Sequence, residues 1–496
     1  MKRDSILVIL LILLWSAVFS QPTYINIYDS TKLFYPKDIV FNDNEEMFVC
    51  ATAWDRDNWI YENVIYKIDA FGEVMAIWRK SDPDFIYKQA SRLFFKEGYL
   101  YLFGYIDRNK PTQPDPGLFM IKFDQNLNEI FSRSHYFDGD LYVEIHNAGR
   151  VKLDNNKFVY FSSIYLNDPL IRLSPFYAEF SDDGQLLNFV RDTQSNFWHF
   201  VYDYTIKPDN QGFYVFTQEN SPEIPLSGWV YDYNRNLENL IKYPLDKDFK
   251  RFFTLIPITD ETVYLSGVYR KFSKNFQVGV MKTDVDGTLY NSFLFEPLMD
   301  STSFTSYFNS LDVLPDGDLI LCSTYGLEVF FAPQNVPSWI SLFRFSPDLE
   351  LIWHRFIGGD ASYETYTMKV SPDEGIVIAG GYSSLPMIEP YKNQLLIIKT
   401  DSDGLTASIN NEYLPISITD AIIFPNPAQD FVIVDFSLLY KTAVLQLIDL
   451  SGRTVFERAL TSNHQQVDIS GVPAGGYVYR IFNNRGLEES GKLVVE

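Results

Sequence analysis

The residues best suited to chemistry in this chain are aromatic and acidic side chains that stand between apolar runs. Carboxylates about 5 to 10 Å apart can cleave glycosidic bonds, and aromatic rings beside carboxylates suit sugars or cations. The most ligand-like segment is WDRDNW, in which two tryptophans flank an acid–base–acid triplet. The candidate ligand-binding residues are Trp54, Asp55, Arg56, Trp59, Asp138, Asp140, Trp198, His199 and Asp360.

Motifs for metal or nucleophilic chemistry are missing from the sequence. It has no G-x-S-x-G, H-E-x-x-H or phosphate-loop pattern, and its histidines lack ligand spacing on a common element. The segments at 284–287 (DVDG) and 401–404 (DSDG) look like fragments of calcium loops, but they lack the closing glutamate. The same positions in other repeats serve as turns. We therefore expect no metal and no cofactor, and we assign no catalytic residue.

The candidates lie between the members of a sevenfold repeat. A polar residue recurs at separations of 50 (Asn234 to Asp284) to 62 (Asp284 to Ser346) positions, and such residues nucleate tight turns. The full column is Asp69, Asp124, Ser181, Asn234, Asp284, Ser346 and Asp401. Three residues later, Gly alternates with Leu, at Gly72, Leu127, Gly184, Leu237, Gly287, Leu349 and Gly404. Gly accepts a left-handed conformation. Where Leu replaces it, we expect the left-handed residue to shift back to Asn126, Asn236 or Asp348.

Each repeat contains four apolar, β-branched or aromatic segments separated by turn signals. This pattern predicts an all-β fold: a seven-bladed β-propeller of four-stranded antiparallel blades over residues 21–411. The seventh repeat lacks a good fourth strand. We expect the N-terminal segment 23–28 (TYINIY) to complete that blade and remove an exposed edge. Cys50 and Cys322 occupy matching positions of different repeats, so we expect two buried thiols rather than a disulfide.

The first twenty residues are typical of a cleavable signal peptide. Lys2 and Arg3 precede an apolar run from Ile6 to Leu14, and Ser20 is a small residue at the expected cleavage point. The alternative is a membrane anchor, but the run is short for a bilayer and no later segment is long enough to be a transmembrane helix. The net charge of −23 disfavours nucleic acid and anionic lipid as partners.

After a linker at 412–419, the pattern of residues 420–496 predicts a small Ig-like β-sandwich. Four motifs occur in order: a PNP opening, a D-x-x-G-R turn, a P-x-G-x-Y motif and a final basic-apolar strand. Their residues are Pro425, Asn426, Pro427, Asp449, Gly452, Arg453, Pro473, Gly475, Tyr477 and Lys492. This stretch resembles the type A C-terminal sorting domain of the type IX secretion system. The resemblance implies transport through the periplasm, recognition by the type IX machinery at the outer membrane, and release or attachment at the cell surface. An ordinary Ig-like accessory domain is the alternative.

For the propeller, the sequence favours a non-enzymatic binding module for a glycan, peptide or partner protein at the cell surface. The alternative is a hydrolase or lyase that acts on polysaccharide with acids at the channel mouth. A third interpretation is a solvated acidic rim whose aromatic residues pack between blades. A converging carboxylate pair or a His–acid cluster would favour the enzyme, whereas a plugged channel would favour binding or a structural role.

Overall fold

The protein is described by a computed structural model over a set of separate ranges. These are residues 22–28, 32–55, 60–81, 87–107, 117–137, 141–142, 149–166, 172–193, 198–220, 227–246, 249–269, 276–295, 302–327, 335–387, 392–406, 418–419, 421–436, 443–449, 451–461, 464–482 and 488–496. These residues form strands and turns, with no helix among them. Accordingly, they contain no helix that could cross a membrane. The proposed leader, residues 1–20, lies outside the described residues.

Seven antiparallel sheets follow one another along the chain after a first strand, β1 (Tyr24–Tyr28). Blade 1 contains β2 (Leu33–Phe41), β3 (Met47–Asp55), β4 (Ile60–Ile68) and β5 (Val74–Ser81). Blade 2 contains β6 (Tyr87–Lys96), β7 (Tyr99–Asp107), β8 (Gly117–Phe123) and β9 (Glu129–Tyr136). Blade 3 contains β10 (Leu141–Tyr142), β11 (Arg150–Asp154), β12 (Lys157–Leu166), β13 (Arg172–Phe180) and β14 (Leu186–Arg191). Blade 4 contains β15 (Trp198–Ile206), β16 (Gly212–Asn220), β17 (Ser227–Asn234) and β18 (Asn239–Pro244).

The remaining three blades repeat this order. Blade 5 contains β19 (Phe249–Pro257), β20 (Thr262–Tyr269), β21 (Gln277–Asp284) and β22 (Leu289–Phe295). Blade 6 contains β23 (Thr302–Thr305), β24 (Leu311–Val313), β25 (Leu319–Leu327), β26 (Trp339–Phe345) and β27 (Leu351–Gly358). Blade 7 contains β28 (Ser362–Val370), β29 (Ile376–Ser383) and β30 (Gln394–Thr400). The all-β, seven-bladed fold class is confirmed, with the inner strands of blades 3 and 6 each divided into two pieces.

The ring is closed by the N-terminal strand. β1 pairs antiparallel with β30, with Tyr24 opposite Lys399, and forms the outermost strand of blade 7. Asn26 Nδ2 and Tyr28 Oη then donate to the carbonyl of Gly72 in blade 1, at 2.8 and 3.1 Å. The strand therefore joins the last blade to the first.

The hydrophobic core lies between adjacent blades. One buried cluster joins blades 7 and 1 through Ile397 and Val49, and the next joins blades 1 and 2 through Ile65 and Leu102. Tyr and Phe rings dominate several of these clusters, because wedge-shaped gaps between twisted sheets need large side chains. Cys50 and Cys322 are both fully buried and unpaired in separate blades, as the sequence predicts.

The turns after the third strands correct one expectation. Leu127, Leu237 and Leu349 are themselves left-handed, with φ of 63°, 53° and 62°, so the predicted shift to the preceding residue is wrong. Asn234 shows why: its side-chain oxygen accepts from the amides two and four residues later, and its carbonyl accepts from Leu237 N at 3.0 Å. These bonds fix the turn geometry. The Leu237 side chain is only 1% exposed, so its burial offsets the conformational cost.

Glycine occupies this position where the neighbouring blade leaves no room. A Cβ added to Gly184, at φ +78°, would lie 2.6 Å from the ring of Phe131 on the outer strand of blade 2. The same occurs at Gly404, where Trp353 of blade 6 would be 2.8 Å away. Glycine is therefore required at these turns because the neighbouring blade fills the space that a side chain would need.

The C-terminal region forms a separate two-sheet module. One sheet contains β32 (Ala421–Phe424), β33 (Phe431–Phe436) and β36 (His464–Asp468). The other contains β34 (Ala443–Asp449), β35 (Thr454–Leu460), β37 (Gly475–Phe482) and β38 (Glu488–Val495). Their apolar faces share one buried cluster that includes Val432, Leu445 and Leu493. Before them, β31 (Ile418–Thr419) pairs with β27 of blade 6. The division at 412–419 into linker and module stays a proposal.

Candidate functional site

The centre of the ring is filled by a segment of blade 6, residues 306–310, which we call the channel segment. It lies between β23 and β24, outside the strand ladders of blade 6, and Asn309 forms a parallel bridge with Thr367 of blade 7. Phe308 N donates to the Tyr366 carbonyl of blade 7 at 2.7 Å. The Phe308 ring lies 4.5 Å from Lys37 Nζ of blade 1. Groups from opposite sides of the ring meet at this residue, so it occupies the channel.

Two arginines hold the channel segment in place. The Phe308 carbonyl accepts from Arg92 Nη2 of blade 2 at 3.0 Å and also from Arg150 Nη1 of blade 3. Arg150 additionally donates to the carbonyls of Tyr202, at 3.1 Å, and Phe253. Its guanidinium thus connects blades 3, 4, 5 and 6. Burial and the neighbouring Arg92 lower the Arg150 pKa to about 10, which leaves it protonated at neutral pH.

Three aspartates on inner strands tie neighbouring blades together. Asp38 Oδ2 accepts from Leu93 N at 3.0 Å, and Asp312 Oδ2 accepts from Val370 N at 2.9 Å. Asp203 Oδ2 accepts from Leu255 N of blade 5 at 3.3 Å and also lies 3.4 Å from Arg150 Nε. These carboxylates are engaged by backbone donors of the next blade, so their geometry is that of structural clamps.

Tyr307 and Phe308 of the channel segment pack in an aromatic cluster with residues of blades 5, 6 and 7. It contains Phe253, Phe304, Tyr307, Phe308 and Tyr366, all less than a tenth exposed. Glu364, 4% exposed, accepts from both Tyr307 and Tyr366 hydroxyls at 2.8 and 2.6 Å. Burial and the Glu364 charge raise the Tyr366 pKa well above its usual value. The carboxylate is therefore held by two phenols as a hydrogen-bond acceptor.

His199 lies beside an acid at the boundary of blades 3 and 4. It stands opposite Glu219 in the strand register and packs edge-on against Tyr231 at 5.0 Å. Glu219 instead accepts from Tyr231 at 2.9 Å and pairs with Lys242 at 3.1 Å. Burial lowers the His199 pKa to about 4, so the imidazole is neutral at pH 7. Its Nδ1 has no hydrogen-bond partner among the described residues. This is not the hydrogen-bonded His–acid pair that general base catalysis uses.

The other candidates from the sequence are distributed around the ring. Trp54 stacks on Tyr61 within blade 1, with ring centroids 6.1 Å apart, and Asp55 ends β3. Asp360 accepts from the Tyr363 hydroxyl at 2.8 Å near the start of blade 7. Trp198 begins β15 in blade 4. Arg56, Trp59, Asp138 and Asp140 lie outside the described residues. Within the described part of the chain, Trp54 lies on blade 1, His199 on blade 4 and Asp360 before the first strand of blade 7. The assignment of these residues to a ligand site stays a prediction.

Sequence reasoning missed Arg92, Arg150 and the channel segment. A signal was present, because the inner strands of several blades carry charged residues, among them Asp38, Arg92, Arg150, Asp203 and Asp312. A charged side chain on a buried inner strand needs a hydrogen-bond or ion-pair partner, either across the channel or in the next blade.

In the C-terminal module, the motif residues hold its turns and its last strand. Asn426 donates to the Lys492 carbonyl at 2.9 Å and accepts from Val494 N at 2.8 Å, which fixes β38. The Asp449 carboxylate accepts from Ser451 and from Arg453, whose guanidinium lies 3.0 Å away; these bonds lower the Asp449 pKa to about 2.

Further motif positions make the next turns. Gly452 is left-handed at φ +85°, and the Tyr477 hydroxyl donates to the Pro473 carbonyl at 2.6 Å. Pro425 and Pro427 both follow cis peptide bonds beside Asn426. Gly475 begins β37, and Lys492 is exposed on β38. The motif residues therefore specify the fold of the module.

A closed seven-bladed ring with a separate two-sheet module defines a β-propeller protein with a C-terminal appendage. Residues 422–496 match the family model described as the secretion system C-terminal sorting domain. The chain therefore carries a type IX sorting domain, which makes it an exported protein, secreted or located at the cell surface.

Solved propeller structures resemble the chain at low identity. Drosophila Semaphorin 2a matches with a TM-score of 0.45 and 9% identity, covering 96% of this chain and 99% of that one. The β-propeller domain of the Trilobed protease from Pyrococcus furiosus matches with a TM-score of 0.39 and 11% identity, covering 77% and 100%. Pyrococcus horikoshii acylaminoacyl peptidase matches with a TM-score of 0.40 and 10% identity, covering 81% and 58%. No curated protein matches the chain.

Proposed function

We propose that the propeller is a non-catalytic binding module for a glycan, peptide or partner protein, displayed or released outside the cell. The observation that supports this role best is the filled channel. A catalytic site needs polar groups that converge on a space where substrate can sit. Around Phe308 the polar groups converge on each other instead, through Arg92, Arg150 and the backbone carbonyls that they bond.

The buried acids of the described residues support the same proposal. Asp203 and Glu364 are each engaged by protein donors, and Glu219 is bonded by Tyr231 and Lys242. A retaining or inverting glycosidase would need one carboxylate free to donate a proton to the leaving group. The bonding pattern favours rigid scaffolding, with ligand contacts made by the exposed surface.

The test is a paired screen of the chain that begins at Gln21. Arrays of glycans and peptides measure binding, and a panel of polysaccharides measures hydrolase and lyase activity. We expect binding without turnover. Turnover that is lost in Glu219→Gln and kept in the exposed control Glu73→Gln would overturn the proposal and establish the enzymatic alternative.

The export route is proposed to begin with removal of residues 1–20 and to pass through the periplasm to the outer membrane. The sorting domain at 422–496 supports the second half of this route. In a host that has the type IX machinery, deletion of 422–496 should retain the propeller in the periplasmic fraction, whereas the full chain should reach the surface or the medium. Equal export of both chains would contradict this role.

A further inference from the structure

A polar groove lies between blades 1 and 2 on the face of the ring that carries the first and third turns of each blade, which we call the turn face. It has a volume of about 650 Å³, and its walls include Glu46, Lys67, Glu97, Tyr99, Asp124 and Gln125. The walls come from the first turn of blade 1 and from two turns of blade 2. Small-molecule pockets usually have volumes of about 300 to 1,000 Å³.

Ion pairs cross the same face at other blade boundaries. Lys96 of blade 2 reaches Asp182 of blade 3 at 2.9 Å, and Lys282 of blade 5 reaches Asp348 of blade 6 at 3.2 Å. Lys67 occupies the repeat position of Lys282, two residues before the turn residue. It pairs with Glu46 of its own blade at 2.9 Å, as Lys399 pairs with Asp373 within blade 7 at 2.7 Å.

An ion pair between blades 1 and 2 occurs on their outer strands. Lys80 Nζ contacts Glu129 at 2.8 Å, and both residues belong to the outer strands. Lys67 lines the groove with a side chain that is only 7% exposed, and its pairing with Glu46 leaves it neutralised there.

The chemistry of the groove suits an uncharged, hydroxyl-rich ligand. Lys67 and the nearby Lys122, whose Nζ lies 4.0 Å from the Tyr99 ring centroid, stand against the three carboxylates of Glu46, Glu97 and Asp124. The small net negative charge disfavours an anionic ligand, and the two ammonium groups disfavour a simple cation. Amide side chains on the wall, including that of Gln125, can both donate and accept hydrogen bonds, as sugar hydroxyls require.

Tyr99 supplies the apolar surface that sugar recognition also needs. It is 39% exposed, although Lys122 covers part of the ring. The C–H face of a sugar can pack on such a ring while the hydroxyls bond to neighbouring polar groups. We propose that this groove binds a neutral glycan. The proposal deepens the binding role given above and rests on it.

The test measures binding of neutral oligosaccharides of glucose, galactose, mannose and xylose to the chain that begins at Gln21. Array hits are followed by titration calorimetry on Tyr99→Ala and Gln125→Ala. The matched control is Tyr290→Ala, which removes a tyrosine that is 58% exposed on blade 5. We expect at least tenfold weaker binding for both groove variants, unchanged binding for the control, and recovery in Tyr99→Phe. Circular dichroism and thermal unfolding establish that each variant folds.

Two results would reject the groove as the glycan site, and they differ in what they mean for the binding role of the propeller. A glycan that binds the wild type and Tyr99→Ala equally well must sit elsewhere, which rejects the groove but keeps the binding role. No binding of any of the four oligosaccharide classes rejects the neutral-glycan site. In that case a peptide or protein hit on the arrays would preserve the broader binding role, and the absence of any hit would reject both.

Discussion

Replacing Arg150 by methionine tests whether the arginine clamp holds the channel shut. The substitution keeps much of the side-chain length but removes the hydrogen bonds to the carbonyls of Tyr202, Phe253 and Phe308. It also removes one of the two cations that pair with buried Asp203, the other being Lys152 at 3.2 Å. Breaking a buried ion pair from one side costs about 3–5 kcal/mol, and each unsatisfied buried carbonyl costs about 1–3 kcal/mol. Because these terms overlap, we expect a loss of about 3–5 kcal/mol of unfolding free energy.

Urea unfolding followed by tryptophan fluorescence measures this loss. The matched control is Arg133→Met, because Arg133 is 41% exposed and its partner Asp183 lies 3.7 Å away. Exposed pairs contribute about 0–1 kcal/mol, so the control should change little. A loss for Arg150→Met that is within about 1 kcal/mol of the Arg133→Met loss would refute the clamp.

A double-mutant cycle separates the two arginines. Arg92 and Arg150 donate to the same Phe308 carbonyl. This carbonyl keeps one donor in each single variant and loses both donors only in the double variant. We expect the losses in Arg92→Met and Arg150→Met to be non-additive by at least about 0.5 kcal/mol. Strict additivity would mean that the two guanidiniums act on independent parts of the channel.

Three further changes test other features. Leu237→Gly should lower the free energy of unfolding in urea by up to about 4 kcal/mol, because loss of a buried Leu (about 2–5 kcal/mol) outweighs relief of left-handed strain (about 1–2 kcal/mol). A stabilised variant would contradict this balance. Asn426→Ala should lower the melting temperature of the C-terminal module and the exported fraction in pulse–chase, and normal export at a reduced melting temperature would limit Asn426 to a structural role. Burial lowers the His354 pKa to about 3, below the unfolded value of about 6.5. The unfolded chain therefore takes up the proton first, and stability falls as pH drops from about 6.5 toward 3. His354→Gln should flatten the dependence of the urea midpoint on pH between 7 and 4, and an unchanged slope would assign the effect to other groups.

The fold could be predicted because each repeat carries its own local signals. The polar residue at Asn234 and its equivalents starts a turn by bonding the backbone within four positions. Strand alternation then sets which face is buried. Left-handed Leu237 could not be predicted, because tertiary burial outweighs its intrinsic preference against that conformation.

The channel could not be predicted from local pattern. Phe308 lies where the inner strand of blade 6 breaks, and its contact with Arg92 spans 216 positions. Only closure of the ring brings the two together. Likewise, Trp54, His199 and Asp360 are candidates because of their residue types and their position between apolar runs. Neither property tells which side chains come together in the folded ring.

The strand that closes the ring imposes an order on folding. Asn393 in blade 7 donates to the Phe34 carbonyl in blade 1 across 359 positions. Closing a loop of that length costs roughly 5 kcal/mol of chain entropy on a flexible-chain estimate. The first six sheets can form one after another from contiguous segments of the chain. The seventh sheet lacks its outer strand until Tyr24–Tyr28 pairs with β30. The first strand of the chain therefore pairs only after the last blade has formed, and the cooperative stability of the whole ring depends on that pairing.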